Sequence, residues 1–190
     1  MNRLPSGFFD CHTLDLAKKL PGMILQRTFS DGEIVRVRIT ETEAYHQDGD
    51  EASHSFKGRT KRNSAMFGPP GRLYVYLIYG IHHCLNVVSE AAGIGAAVLI
   101  RGGTALTGEA RMAANRGMVR DPKNLLNGPG KLCQALQIDL SWNNHDLSQG
   151  GFILLSGDIK PGEQLSSSTR IGISKSVEKP WRFLLEDPSN

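Results

Sequence analysis

Cysteine is scarce here: Cys11, Cys84 and Cys133 are the only three in 190 residues. An odd count at wide spacing offers no disulfide framework and fits reduced thiols. Cys84 follows His82-His83, yet no C-x-x-C, H-E-x-x-H or second close ligand pair accompanies it, so no metal centre is expected. Long apolar runs are missing too. Nothing approaches the stretch of about 18 apolar residues that a membrane-crossing helix needs. The first twenty residues lack the apolar block and small-residue cleavage site of a secretory signal, which points to a cytoplasmic protein. With no Pro/Gly/Ser-rich linker, internal repeat or low-complexity segment, one domain across all 190 residues is expected.

Charge is nearly balanced, 22 basic against 19 acidic residues for a net +3, but it is unevenly placed. Residues 41–51 hold five acids (Glu41, Glu43, Asp48, Asp50, Glu51) and no base, whereas 54–72 hold five bases (Lys57, Arg59, Lys61, Arg62, Arg72) and no acid. Between Arg101 and Lys131, Arg111, Arg116, Arg120 and Lys123 outnumber Glu109 and Asp121. Any single Lys or Arg reads as a solvated surface charge. Two clustered basic segments suit a phosphate backbone.

The hydrophobic pattern predicts an α+β fold with a central curved, mostly antiparallel sheet, a protruding β-hairpin and flanking helices. A short helix is expected over 13–20, closed by Pro21-Gly22. Strands at 23–29 and 33–45 flank the turn Ser30-Asp31-Gly32. Residues 46–71 read as loop with one helical turn near 63–67. Strands 72–79 and 82–89 form a hairpin with Tyr79, Gly80 and Ile81 near its tip. A strand at 96–101 follows, then helices at 104–116 and 129–137, and strands at 152–156, 170–173 and 181–185.

Within 33–40, Val35, Val37 and Ile39 alternate with Arg36 and Arg38, the mark of a half-buried strand. If the strand persists, Glu41, Glu43 and Tyr45 extend its apolar face. A desolvated carboxylate is a candidate general base, and Arg101, ending an apolar strand, can pair with Glu43 and keep it ionised. Tyr74 and Tyr76 share a strand face, where aromatic residues are most often core. Tyr79, beside Gly80 at an exposed tip, is poorly placed for packing and suits a wedge between bases. Tyr76 suits a pocket wall, and Asn86 on the returning strand carries an amide that can discriminate hydrogen-bond patterns. The helix entrance Gly128-Pro129-Gly130-Lys131 offers backbone N–H groups and a cation to a phosphate, and also reads as a well-capped helix.

Together these segments resemble a known family. The run E-T-E-A-Y, an acidic loop, H-S, G-R-x-x-x-R-N, M-F, P-G-x-L-Y-V-Y-x-I-Y-G, V-L-I-R and G-P-G-K-L-C-Q-A-L is similar, in order and spacing, to the alkyladenine (3-methyladenine) DNA glycosylases of the mammalian type. The resemblance implies a monofunctional enzyme without cofactor, working as a monomer on double-stranded DNA that contains damaged purines. In its terms Glu43 is the base that activates water against C1′ of the deoxyribose, and Arg101 helps hold that water. Tyr45, His54 and Tyr76 wall the flipped base, Asn86 rejects the 2-amino group of guanine, and Tyr79 fills the gap in the duplex. Arg59, Arg62, Ile81 and Lys131 are the expected DNA contacts, although Ile81-His82-His83 is less bulky and less aromatic than other family tips. A damaged-DNA binding module that does not cut, or a hydrolase of free nucleosides, shares parts of this pattern. Intact Glu43 and Arg101 favour the glycosylase.

Overall fold

The alternation read in residues 33–45 is realised as β2 (Ile34–His46), the longest strand of an eight-stranded sheet. A computed structural model describes residues 2–186; residues 1 and 187–190, part of the single domain expected from sequence, lie outside the described residues. The other strands are β1 (Ile24–Thr28), β3 (Leu73–Ile78), β4 (His82–Val88), β5 (Ala96–Thr107), β6 (Phe152–Leu155), β7 (Gln164–Ser168) and β8 (Arg182–Glu186). They run in the order β3-β4-β5-β2-β1-β6, with β8 beside the second half of β2 and β7 beyond it, and every pairing is antiparallel. The helices are α1 (Thr13–Lys19), α2 (Glu109–Asn115) and α3 (Pro129–Ala135).

Period-two alternation sorts the strands onto two faces. Val35, Val37 and Ile39 of β2, Leu73 and Val75 of β3, Leu85 and Val87 of β4, and Val98 and Ile100 of β5 enter one core with Leu16 of α1, Leu20 just after it, Met112 of α2 and Leu132 of α3. A second, small cluster joins Tyr74, Tyr76, Val88 and Ala97 to Met66 and Phe67 of the helical turn at 64–67. It lies on alternate positions of the same strands, and therefore on the face away from the helices.

One expectation about β2 is corrected. Glu41, Glu43 and Tyr45 do not extend its apolar face, because the β2–β5 ladder, which also shifts register between Arg36 and Val37, shifts again between Ile39 and Glu41 and between Glu41 and Thr42. Thr40 is the extra residue on β2 and Arg101 the extra residue on β5, a pair of bulges. Beyond them Thr42 and Ala44 take over the helix-facing side. The Thr42 hydroxyl donates to the Ala17 carbonyl of α1 at 2.7 Å, and Ala44 joins the main core. Glu43 and Tyr45 are thereby turned to the opposite face.

Two further readings differ. The helix expected over 104–116 begins only at Glu109, and 104–107 continue β5. Ala-rich composition favours helix, but Thr104 and Ala105 pair with Arg38 and Val37 across the ladder. Gly103 lets the strands close, since a Cβ there would lie 2.4 Å from a Val37 methyl and 2.7 Å from the Arg38 carbonyl. No strand forms at 170–173; the edge beside β8 is taken by β7, whose sequence QLSSS carries little strand propensity of its own. The hairpin tip is as expected. Tyr79 (φ 53°) and Gly80 (φ 72°) are both left-handed, and the Ile81 N–H closes the turn on the Ile78 carbonyl at 3.2 Å.

Candidate active site

The face of the sheet opposite the main core bears a cavity of about 670 Å³. Tyr45 of β2, Tyr76 of β3, Asn86 of β4 and Arg101 of β5 line it, with His54 from the acidic loop and Lys131 from α3. Six elements thus converge, four of them strands that present their even or odd positions to one side. Tyr74 and Tyr76 stack at 5.4 Å between ring centroids, and His54 meets Tyr76 edge to face at 4.6 Å. The His54 Nδ1 lies 2.8 Å from the Tyr74 hydroxyl. Burial pushes the Tyr74 phenol up to about 12. The Tyr76 phenol is raised further, also by burial. For His54, partial desolvation and then the Arg62 charge lower the imidazole below its ordinary value.

Glu43 sits behind the cavity wall, fully buried. Its Oε2 accepts the Tyr45 hydroxyl at 2.7 Å, and its Oε1 accepts the backbone N–H of Ile171 at 2.7 Å. Arg101 Nε is 3.4 Å from Oε1, so the expected pairing exists. Its closer partner is Glu41, at 2.9 Å, which Arg182 of β8 also holds, at 2.5 Å. Desolvation opposes the charge on Arg101, but Glu43 and Glu41 outweigh it and leave the guanidinium more basic than usual. Burial, and then the neighbouring Glu43 carboxylate, raise the Tyr45 phenol far above its ordinary range. The raised phenol suits its role as the donor to Glu43. Asn86 is buried, and its Nδ2 donates to the Tyr74 carbonyl at 3.0 Å, which holds the side chain in place.

Of the residues expected to meet DNA, Tyr79 and Lys131 line the cavity. Tyr79 is 80% exposed and Ile81 72%, both at the hairpin tip. Arg59 and Arg62 are exposed; the Arg62 guanidinium reaches the Leu77 carbonyl at 3.2 Å and lies 5.9 Å from the Tyr76 ring centroid. Lys131 Nζ donates to the Asn127 side chain at 2.7 Å at the entrance of α3. Sequence reading missed the Ile171 N–H, since a main-chain donor leaves no trace in residue type. It also missed the buried pair of Asp50 with Arg170, although both residues fell inside segments noted for other reasons.

Among the described residues, one group of metal-ligand type lies elsewhere, at His12, His46 and Glu90. The Nδ1 atoms of His12 and His46 accept the Leu14 and Asp48 N–H groups, at 3.3 and 3.0 Å. Glu90 Oε1 accepts the Thr13 N–H at 2.9 Å and lies 3.3 Å from His46 Nε2.

The methylpurine-DNA glycosylase family profile matches residues 7–189. A protein of Chlorobium phaeobacteroides (strain BS1), provisionally named a 3-methyladenine DNA glycosylase, is 45% identical over 187 residues, covering 98% of this chain and 94% of that protein. Proteins with the same provisional name from Synechococcus sp. (strain JA-3-3Ab) and Methanocella arvoryzae are 47% and 42% identical, over 90% and 95% of this chain and 89% and 90% of their own lengths. With a profile match of that span and relatives of that identity, the chain belongs to the methylpurine-DNA glycosylase family.

Proposed function

We propose that this protein is a monofunctional DNA glycosylase that flips an alkylated or deaminated purine out of duplex DNA and hydrolyses its N-glycosidic bond. The observation that carries the reading is Glu43: a fully buried carboxylate, held by Tyr45, Ile171 and Arg101, directly behind an aromatic cavity. A module that only bound distorted DNA would have no use for a desolvated acid at that place. Held in a fixed orientation, Glu43 takes a proton from water as the water attacks C1′, and Arg101 helps keep that water in line.

His54 and Tyr76 touch edge to face, so a base cannot enter between them; they act as one wall, and Tyr45 as the other. Stacking on such a wall is worth roughly 1–3 kcal/mol per base and offsets the few kcal/mol of unstacking. A purine alkylated at N3 or N7 is cationic, which adds about 0.5–2 kcal/mol over a tyrosine face and makes it a good leaving group. The fixed Asn86 side chain then meets a purine 2-amino group as an obstacle. For neutral lesions such as hypoxanthine, the lowered basicity of His54 supports water rather than an imidazolium as the source of the leaving-group proton. Tyr79, on a turn that forces it outward, is the wedge that fills the vacated stack. Arg59, Arg62, Ile81 and Lys131 meet the DNA around it.

The test is Glu43→Gln, assayed on duplexes each carrying 3-methyladenine, 7-methylguanine, hypoxanthine or ethenoadenine, followed by alkaline cleavage of abasic sites. The variant is expected to bind lesion DNA and lose excision by about 100-fold or more. Excision at the unaltered rate would remove Glu43 from its role. Release of no lesion by the unaltered protein would leave the binding-module reading instead.

A further inference from the structure

Asp50 and Arg170 form a fully buried ion pair between segments 120 residues apart. The guanidinium grips the carboxylate with both forks, Nη2 to Oδ1 at 2.6 Å and Nη1 to Oδ2 at 2.7 Å, and Nη1 also donates to the Ala44 carbonyl at 2.9 Å. Its Cζ lies 4.6 Å from the Tyr45 ring centroid and 5.2 Å from that of Trp181. Asp50 is tied in turn to its own loop, accepting the Ala52 N–H at 3.2 Å and the His46 N–H at 3.4 Å. Such a pair is a poor stabiliser relative to packed apolar residues of the same volume, because both charges lose their hydration. A fold that needed only a filled space there would be as well served by leucine and methionine.

The position of the pair gives it a different meaning. Ala44, which Arg170 holds through its carbonyl, stands between Glu43 and Tyr45 on β2. The residue after Arg170 is Ile171, whose N–H is one of the two hydrogen bonds that orient Glu43, and the ring beneath which the guanidinium lies belongs to Tyr45, which makes the other. Residues 171–175 form no strand and no helix, yet they line the cavity opposite the sheet. A segment without a ladder of its own needs an anchor, and Arg170 is that anchor. Its side chain is wholly buried against Tyr45 and does not line the cavity.

We infer that Asp50 and Arg170 are positioning residues for hydrolysis: their ion pair fastens the 171–175 segment over β2 and so sets the Ile171 N–H and the Tyr45 hydroxyl on the two oxygens of Glu43. The inference rests on Glu43 being the base. Arg170 touches neither base nor sugar; it acts through the two groups that hold the carboxylate. Lysine in its place keeps the charge but has no fork, no planar face for Tyr45 and Trp181, and cannot reach Asp50 and Ala44 together.

Arg170→Lys is therefore expected to slow single-turnover excision of a cationic lesion by about tenfold to a hundredfold, the range associated with displacement on the order of 1 Å. Its affinity for lesion DNA is expected to stay within about threefold once corrected for the folded fraction, and protection of the Ile171 amide from hydrogen exchange to fall. Asp50→Asn, which preserves shape and removes one charge, serves if the lysine variant does not fold, with a smaller loss in the same rate. Rate and amide protection equal to the unaltered protein in a folded variant would overturn the inference. Glu43→Gln is run alongside: if it retains excision, the assignment of the base has failed, whereas a dead Glu43→Gln beside a fully active Arg170→Lys rejects the ion pair's role alone. In the double variant no further loss is expected, because an anchor for Glu43 has no effect where Glu43 is absent.

Discussion

The two halves of β2 follow one alternation and serve opposite ends. From Ile34 to Ile39 the odd residues Val35, Val37 and Ile39 are sealed against the helices. From Glu41 to His46 the odd residues turn to the open face, where Glu43 and Tyr45 stand beside the cavity, while the even residues Thr42 and Ala44 hold the core. The difference comes from the single inserted residue, Thr40, with Arg101 inserted in turn on the partner strand. A one-residue slip moves an entire strand's side chains across the sheet, and here that slip separates a strand that builds the protein from a strand that builds its chemistry. The bulge also leaves Arg101 beside the acids of the second half, rather than lost among the apolar residues of the first.

Ala44→Glu attacks this comparison most directly. Ala44 is wholly buried on the helix-facing side of the second half, so a carboxylate there has no partner, and loss of folded protein is expected, above about 4 kcal/mol. Circular dichroism and denaturant unfolding measure it; a well-folded variant with normal excision would show that the even residues of the second half do not hold the core. Ile39→Ala sharpens the contrast at a smaller cost. Ile39 is wholly buried, so about 2–5 kcal/mol of stability should be lost in urea titration, with excision per folded molecule unchanged. A matching drop in the rate of the folded fraction would mean that the first half also governs the chemistry.

The smallest effect concerns pH. His54, across the cavity from the second half, has its imidazole lowered in the folded state by desolvation and by Arg62. The unfolded chain then binds the proton more readily, and this contribution to stability is lost as pH falls from about 6.5 through the lower folded value. His54→Gln should lose less stability than the unaltered protein between pH 7 and pH 5, read as the shift in urea midpoint. Equal losses would assign the acid sensitivity elsewhere.

Much of the sheet was legible in sequence because β-branched and aromatic residues alternate where one face is buried, as in Leu73–Ile78 and His82–Val88. The exceptions share a cause. Ser166 to Ser168 are strand because β8 offers a free edge, and Thr104 to Thr107 because β2 offers another; neither partner is visible in the local window. The site divides the same way. Glu43, Tyr45, Tyr76 and Asn86 could be singled out because their residue types stand out on strands, and Arg101 because a charge ends an apolar run. The Ile171 N–H, the sharing of Glu41 between Arg101 and Arg182, and the Asp50–Arg170 pair depend on contacts between segments 60 to 141 residues apart, which no spacing rule encodes.

Tyr79 occupies a left-handed turn position that glycine would fill without strain, and it places an aromatic ring in water. A search for heat-resistant variants of this protein would therefore favour glycine at position 79. Such a search would enrich molecules that keep the pocket whole and lose the side chain that enters the duplex, so thermal selection and repair competence would diverge at this one turn.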